Sequence, residues 1–247
     1  MKSEITNENN FKMKLKEKAS ENGIELDDEM LEKLEIYKNL IIEWNERINL
    51  TAITDEDEII LKHFVDSLEC VKHIGEGTSI IDVGTGAGFP GIVIAIYFKG
   101  KVKITLLDAL NKRLIFLEEV KARLNLTNIN IVHGRAEEVA NIQNFREKYD
   151  IALARAVAAL NILLEYITPY IKTKGKALLM KGDNVKEEIA NSKNALKTLN
   201  CSISNEFNYE LNSENEVFNR SIIEVKKDGS TPNKYPRNYG KIKKQPL

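Results

Sequence analysis

The sequence predicts an α/β fold: a mostly parallel sheet with an antiparallel edge, crossed by helices and preceded by more helices at the N-terminus. Two observations carry this. From Ser79 onward, short apolar runs alternate with amphipathic stretches, the pattern of parallel strands joined by right-handed crossovers. The stretch from Ser79 to Gly91 also joins the first run to the first helix through Gly84, Gly86 and Gly88. Bare backbone at a strand-to-helix turn lets a ligand approach closely beside the free amides of the helix start.

The elements follow in order. Residues 11–22, rich in Lys and Glu, read as a helix ending near Gly23. A stronger helix runs from Asp27, a suitable N-cap, to about Asn49. Its Leu34, Tyr37, Ile41, Trp44 and Ile48 share one face, expected to meet the core or a seam between units. The acids Asp55 to Glu58 start another helix through Leu61, His63, Asp66 and Leu68. Strand 79–83, helix 91–98, strand 102–107, helix 112–124, strand 129–133, a polar turn over 134–138 and strand 149–154 come next. Pro90 suits the first turn of its helix. Helix 160–171 contains Pro169 and should end or bend there. A strand at 177–181 precedes helix 184–198, and the alternating runs 202–210 and 220–226 fit an antiparallel pair at the sheet edge. The last 19 residues hold three of the five prolines and no periodicity, which predicts an extended arm rather than a packed element. The expected units are a helical extension (1–60), the sheet domain (61–228) and a tail (229–247).

Composition narrows the function classes. With 43% hydrophobic and 30% charged residues the chain reads as an ordinary soluble protein. No apolar run approaches the roughly 18 residues of a membrane span, and the polar start is neither a signal nor a transit peptide. The net charge of −1 hides a body at −6 and a tail at +5, the latter from Lys234, Arg237, Lys241, Lys243 and Lys244. Contact with nucleic acid must therefore come from a local patch. Cys70 and Cys201 fit no redox or zinc spacing, and His63, His73 and His133 have no ligand spacing, so no metal is expected. A reducing cytoplasm is the expected home, and no apolar stripe demands a dimer.

Gly86, Gly88 and Gly91 satisfy G-x-G-x-x-G, so a dinucleotide-dependent oxidoreductase has to be weighed. Three features pull away from it: Asp82 inside the strand, one glycine more than a pyrophosphate turn needs, and no second domain for hydride transfer. S-adenosylmethionine (SAM) asks for glycine backbone beside its amino-acid end, a carboxylate for its ribose hydroxyls and a polar cap on adenine. Gly84 and Gly86 supply the first. Asp108, 24 residues after Gly84 at the end of the second strand, supplies the carboxylate, unless it merely caps the next helix. The turn Gly134-Arg135-Ala136-Glu137 lies on the same rim. Arg155 ends the fourth strand, either pointing at the transfer site or held in a structural ion pair.

Several segments together resemble the bacterial small-subunit ribosomal RNA guanine-N7 methyltransferase family, known also as glucose-inhibited division protein B. They are Trp44-Asn45 with Asn49-Leu50-Thr51; His63-x-x-Asp66-Ser67-Leu68; Asp82-Val-Gly-Thr-Gly-Ala-Gly-Phe-Pro-Gly91; Leu107-Asp108 with Asn111-Lys112-Arg113; His133-Gly-Arg-Ala-Glu137; Arg155-Ala-Val-Ala158; Lys234-Tyr-Pro-Arg237; and Pro246-Leu247. They run in order over about 200 residues. Between Arg237 and Pro246 the family's Gly-x-Pro run is replaced by Asn-Tyr-Gly-Lys-Ile-Lys-Lys-Gln. The resemblance implies a Rossmann-like class I SAM-dependent methyltransferase. It would act on N7 of a guanine in the decoding-region 530 loop of 16S rRNA, free or in an assembly particle, and release S-adenosylhomocysteine (SAH). Carried over by position, the cofactor contacts are Gly84, Phe89, Ala136, Glu137 and Arg155.

Guanine N7 already bears a lone pair, so its methylation needs no general base. The sequence fits: it has no Pro-Pro-aromatic motif for an exocyclic amine and no cysteine placed as a nucleophile. Arg155 is the one candidate catalytic side chain, orienting the guanine or its phosphate, or touching the cofactor. The target base must be splayed out of its helix, and Phe89, Tyr235 and Tyr239 are candidate stacking platforms. Lys112, Arg113, Arg123 and Arg135 would extend the basic patch of the tail. His63 and Asp66, at helical spacing, either face the cleft or are structural. A SAM- or RNA-binding module without turnover is the non-enzymatic alternative.

Overall fold

The computed structural model describes residues 2–213 and 216–247, with side chains from Asn10 onward. Helix α1 (Lys2–Glu21) reaches further back than the sequence pattern suggested, because its first turns carry no apolar stripe. Helix α2 (Asp28–Ile48) starts where expected: the Asp27 carboxylate accepts from the Met30 N–H at 3.0 Å, and the helix stops at Asn49, which takes a left-handed φ of 48°. The acids after Asp55 open a broken helical run of α3 (Glu56–Glu58), a π-helical Ile59–Val65, α4 (Asp66–Leu68) and a 3-10 turn Glu69–His73.

The sheet then builds outward. Strands β1 (Ser79–Val83), β2 (Lys103–Asp108), β3 (Ile129–His133), β4 (Tyr149–Arg155) and β5 (Ile171–Lys181) are parallel; β6 (Cys201–Asn212) and β7 (Val217–Lys227) form a hairpin. The spatial order is β3-β2-β1-β4-β5-β7-β6, with β7 antiparallel to β5. The chain reverses direction of travel between β1 and β4, the switch point where a cleft opens beyond the strand ends. Alternation within strands sorts the core into two layers: Ile80 and Leu178 face one side, Ile81 and Leu179 the other. Helices α5 (Gly91–Phe98) and α6 (Asn111–Arg123) cover the first layer. Leu160, Leu163 and Leu164 of α8 (Leu160–Ile167), with Ala195 of α10 (Lys193–Thr198), cover the second.

The stripe on α2 closes over the first layer. Tyr37 is fully buried, and the Trp44 Nε1–H donates to Glu119 Oε2 on α6 at 2.9 Å. One continuous core holds Phe11 and Leu34 together with Ile80 and Phe116, so the N-terminal helices from Phe11 onward pack against the sheet.

Three expectations need correction and one is met. The fifth strand begins at Ile171 rather than 177, because the exposed Lys172–Lys174 segment shows no apolar alternation to read; its register with β4 shifts near Tyr149. The expected end at Pro169 is met: the helix stops at Ile167 and passes into a 3-10 turn, Thr168–Tyr170. Helix 184–198 is two pieces, α9 (Val185–Asn191) and α10, parted at Ser192, whose hydroxyl donates back to the Glu188 carbonyl at 2.7 Å. Finally, the tail is packed. Tyr235 and Ile242 are buried, and a short helix α11 (Tyr239–Lys244) forms at its end. Its anchors are ionic and therefore aperiodic: Arg237 forks onto the fully buried Glu165 at 2.6–3.1 Å, and Arg146 donates to the carbonyls of Tyr235 and Thr231, each at 3.0 Å.

Candidate functional site

At the carboxyl ends of β1 to β4 lies a cleft of about 500 Å³. Its walls come from the sequence segments after each strand: Val83–Gly84, Leu107–Leu110 with Arg113, Gly134–Glu137, and Ala156–Ala158. The short helix α7 (Ala136–Val139) starts within it, and Ile162, Tyr166, Tyr239 and Lys243 complete the rim.

The glycine turn is built by Asp82. Its carboxylate, fully buried at the sheet's core, uses Oδ2 to accept from Thr85 Oγ1 at 2.7 Å and from the Gly91 amide at 3.0 Å. One acid thus holds both ends of the loop. Burial pushes its pKa up to about 7, against the pull of those two hydrogen bonds and of Arg155. Its Oδ1 is buried without a partner among the described residues. Gly84 takes φ of +73° and presents bare backbone: a Cβ there would meet Val157 Cγ2 at 2.9 Å. Gly88 has a different reason to be glycine. The Tyr37 hydroxyl occupies the space beside it and donates to the Ala87 carbonyl at 2.6 Å; a Cβ would lie 2.7 Å from that oxygen.

Asp108 stands at the centre of the wall, only 4% exposed. Its Oδ2 accepts from the Gly86 amide at 2.9 Å and from Arg113 at 3.3 Å, and its Oδ1 from the Leu110 amide at 2.9 Å. The alternative of a helix cap is not met: Leu110 is the N-cap of α6 and no side chain caps it, so Asp108 instead ties the glycine turn to the Leu110 amide at the cleft wall. The next turn follows the same logic, the Gly134 amide donating to the Asp108 carbonyl at 3.1 Å. Tyr170 supports it from behind, its hydroxyl donating to the Ala136 carbonyl at 2.6 Å. Ala156, after β4, adopts φ of +56° without being glycine, a strained placement found at sites that position a ligand.

These groups fit SAM: bare backbone at Gly84, an accepting carboxylate at Asp108, and backbone plus the Glu137 side chain on the far rim, in a volume typical of small-molecule sites.

Of the expected site residues, the structure brings Gly84, Asp108, Ala136 and Glu137 together as cleft lining, with Gly86 bonded to Asp108. Phe89 and Arg155 stand behind the turn. Phe89 is buried among Tyr37, Phe64 and His63, ring centroids 4.5–5.9 Å apart, so no displaced base can stack on it. The Arg155 guanidinium lies 4.9 Å from that ring and donates to Asp66 Oδ2 at 2.9 Å, the Lys62 carbonyl at 3.0 Å and Ser67 Oγ at 3.4 Å. Tyr235 is likewise buried and offers no platform. His63 and Asp66 do not face the cleft. The His63 Nε2 pairs with Thr51 Oγ1 at 2.9 Å, and burial, with Arg155 nearby, pulls its pKa to about 3; Asp66 is shared between Arg155 and the Tyr209 hydroxyl. Sequence reasoning missed Val157, Ile162, Tyr166 and Lys243 as cleft residues. Val157 lies within the Arg155-Ala-Val-Ala158 segment, but nothing in the sequence marked the other three as cleft lining.

The sequence and the fold are both shared with known proteins. The family model described as "rRNA small subunit methyltransferase G" matches residues 30–217. A protein named ribosomal RNA small subunit methyltransferase G from Alkaliphilus metalliredigens is 46% identical over 96% of this chain and 98% of its own. One of the same name from Acetivibrio thermocellus is 49% identical over 94% of each. Among solved structures, a SAM dependent methyltransferase from Aquifex aeolicus superposes with a TM-score of 0.52 at 17% identity, covering 72% of this chain and 96% of that one. TYW2 of M. jannaschii, in complex with AdoMet, gives 0.52 at 14% identity, covering 66% and 76%. These two likenesses speak to the fold, which is the Rossmann-like class I methyltransferase fold. With its matched region and these relatives, the chain belongs to the rRNA small subunit methyltransferase G family.

Proposed function

We propose that the protein transfers a methyl group from SAM to N7 of a guanine in the 530 loop of 16S rRNA, releasing SAH, as a monomer in the cytoplasm. One observation carries the cofactor half: Asp108 ends β2 with its carboxylate tied to the Gly86 amide, facing the bare backbone of Gly84 across one cleft. Membership of the family supports the RNA half. Bound SAM would supply an electrophilic methyl on a sulfonium. Everything else asked of the chain is placement. Asp108 holds ribose hydroxyls, Gly84 and Gly86 leave room for the amino-acid end, and Ala136 with Glu137 meets adenine.

The lining fits a reaction without a base. Among the described residues that line the cleft there is no histidine or cysteine. Cys201 is buried elsewhere, its thiol pushed up to about 12 by burial, and burial also raises Cys70. Alignment of N7, methyl and sulfur then carries the rate, an effect worth about 7–11 kcal/mol when geometry is right. Arg113, Arg135 and Lys243 give the mouth a positive rim for phosphates. An oxidoreductase on this sheet is disfavoured because β7 runs antiparallel between β5 and β6, where a dinucleotide fold continues in parallel.

The test is incubation of the chain with labelled SAM and 30S particles, free 16S rRNA or tRNA, followed by cleavage at N7-methylguanine. Label at one guanine of the 530 loop is the expected result. Label elsewhere would overturn the site assignment, and no label in any RNA would make the chain a binding module.

A further inference from the structure

Tyr239 stands 44% exposed on α11, yet it lines the same cleft as Asp108, Arg135 and Glu137. An exposed aromatic ring at the wall of a small-molecule cleft is a ready-made stacking surface. Its position along the cleft says for what. Asp108, at the end of β2, marks where the ribose sits. Ala136 and Glu137, at the end of β3, lie one strand further from the switch point, on the side where the base must extend. Tyr239 borders this far end and a smaller adjoining hollow formed with Arg135, Glu137 and Asn141.

The ring is also held in place. The Arg135 guanidinium lies 5.0 Å from its centroid, close enough for a cation–π contact. The tail leading to it is fastened by Arg237 on the buried Glu165, with the Arg237 amide donating to the same carboxylate at 2.8 Å. One residue later, Asn238 caps α11 by accepting from the Lys241 amide at 3.0 Å, and the buried Ile242 pins the helix from beneath. A side chain presented by a segment with this many anchors is preorganised, so its ordering cost on binding is small.

We infer that Tyr239 closes the adenine end of the cofactor cleft and stacks on the purine, so that the C-terminal tail is part of the cofactor site. The inference rests on the SAM reading above. It moves Tyr239 from the RNA surface, where the sequence suggested a platform for a displaced base, to the donor. It also gives the buried Arg237–Glu165 pair a purpose: the pair sets the height of the ring over the cleft.

The experiment is titration calorimetry of the full chain with SAH and, separately, with 5′-methylthioadenosine, which keeps adenine and ribose but lacks the amino-acid end. Tyr239→Ala should weaken both ligands by the same factor, about 5- to 150-fold, the range for removal of one aromatic–base stack. Tyr239→Phe should keep near-normal affinity, and Tyr239→Leu should fall between them. An unchanged urea midpoint in the Ala variant shows that its fold is intact. Unaltered affinity for both ligands, with a raised KM for rRNA, would return Tyr239 to the RNA surface and overturn the inference. Loss confined to SAH, with methylthioadenosine unaffected, would also overturn it, since the contact would then lie at the amino-acid end. If the unaltered chain binds neither ligand, the SAM reading itself fails, and that outcome is distinct from a Tyr239 variant that binds normally.

Discussion

Replacing Arg155 by Ala separates a structural from a chemical role for the most suggestive charge in the sequence. The guanidinium is 15% exposed and its partner Asp66 only 6%, so truncation leaves a carboxylate in the protein interior with Tyr209 as its remaining donor. Breaking a buried pair in this way costs about 3–5 kcal/mol, more than the pair itself contributes, because the stranded charge keeps its desolvation penalty. The contact over Phe89 adds to the loss. In a chain of this size that corresponds to a fall in Tm of about 6–20 °C. Urea unfolding of Arg155→Ala, Asp66→Ala and the double variant gives the coupling. The double variant should be more stable than the sum of the singles predicts, by about 1–3 kcal/mol. SAH affinity, measured well below the new Tm, should change little. A destabilisation under about 1 kcal/mol together with lost turnover would refute the structural role and make Arg155 a contact of the reacting groups.

Three further outcomes follow from the same geometry. Gly84→Val places a β-branched residue at φ +73° and fills the cleft beside Val157, so SAH binding should vanish in calorimetry while the chain still unfolds cooperatively. Asp82 and His63 should give opposite pH slopes. Asp82 titrates near 7 when folded and near 4 when unfolded, so the folded chain holds the extra proton and stability falls by roughly 4 kcal/mol as pH rises through that window. His63 titrates near 3 when folded, so stability falls by roughly 5 kcal/mol as pH drops from 6.5 to 3. Urea unfolding between pH 4.5 and 6.5 should therefore show a steeper rise with pH in Asp82→Asn and a fall in His63→Gln; unchanged slopes would refute both assignments. Lys241→Gln with Lys244→Gln should lower the salt slope of log affinity for rRNA by about 0.7 per charge without touching SAH binding.

The sheet was legible because its central strands carry short apolar runs, such as Ile80-Ile81, Leu106-Leu107 and Ile151 to Ala154, and helices such as α2 and α6 carry apolar faces. Both signals come from burial, and burial is local in sequence. The glycine turn was legible because Asp82 and its partners Thr85 and Gly91 are close in sequence, although the crowding at Gly84 by Val157 and at Gly88 by Tyr37 comes from far along the chain. What escaped depends on partners far away in the chain. Phe89 and Arg155 sit in the right motif and at the right strand end, yet the direction each side chain takes is set by Asp66 and Tyr37, 89 and 52 residues away. The tail looked unstructured because its order comes from Arg237 meeting Glu165, 72 residues away, and isolated ion pairs leave no period. The break at Ser192 and the lengthened β5 escaped too, since a back-bonded hydroxyl and an exposed lysine run carry no apolar pattern.

The phenol of Tyr37 within the space left by Gly88 has a thermodynamic consequence. An N-terminal helix and the ligand turn share one hydrogen bond, so they cannot fluctuate independently. Coupling of this kind is reciprocal. A cofactor that steadies the turn must slow amide exchange along α2 by the same free energy with which an undocked α2 would weaken the cofactor. The helix that the sequence assigns to a separate extension is thus a reporter of occupancy at the far side of the glycine turn.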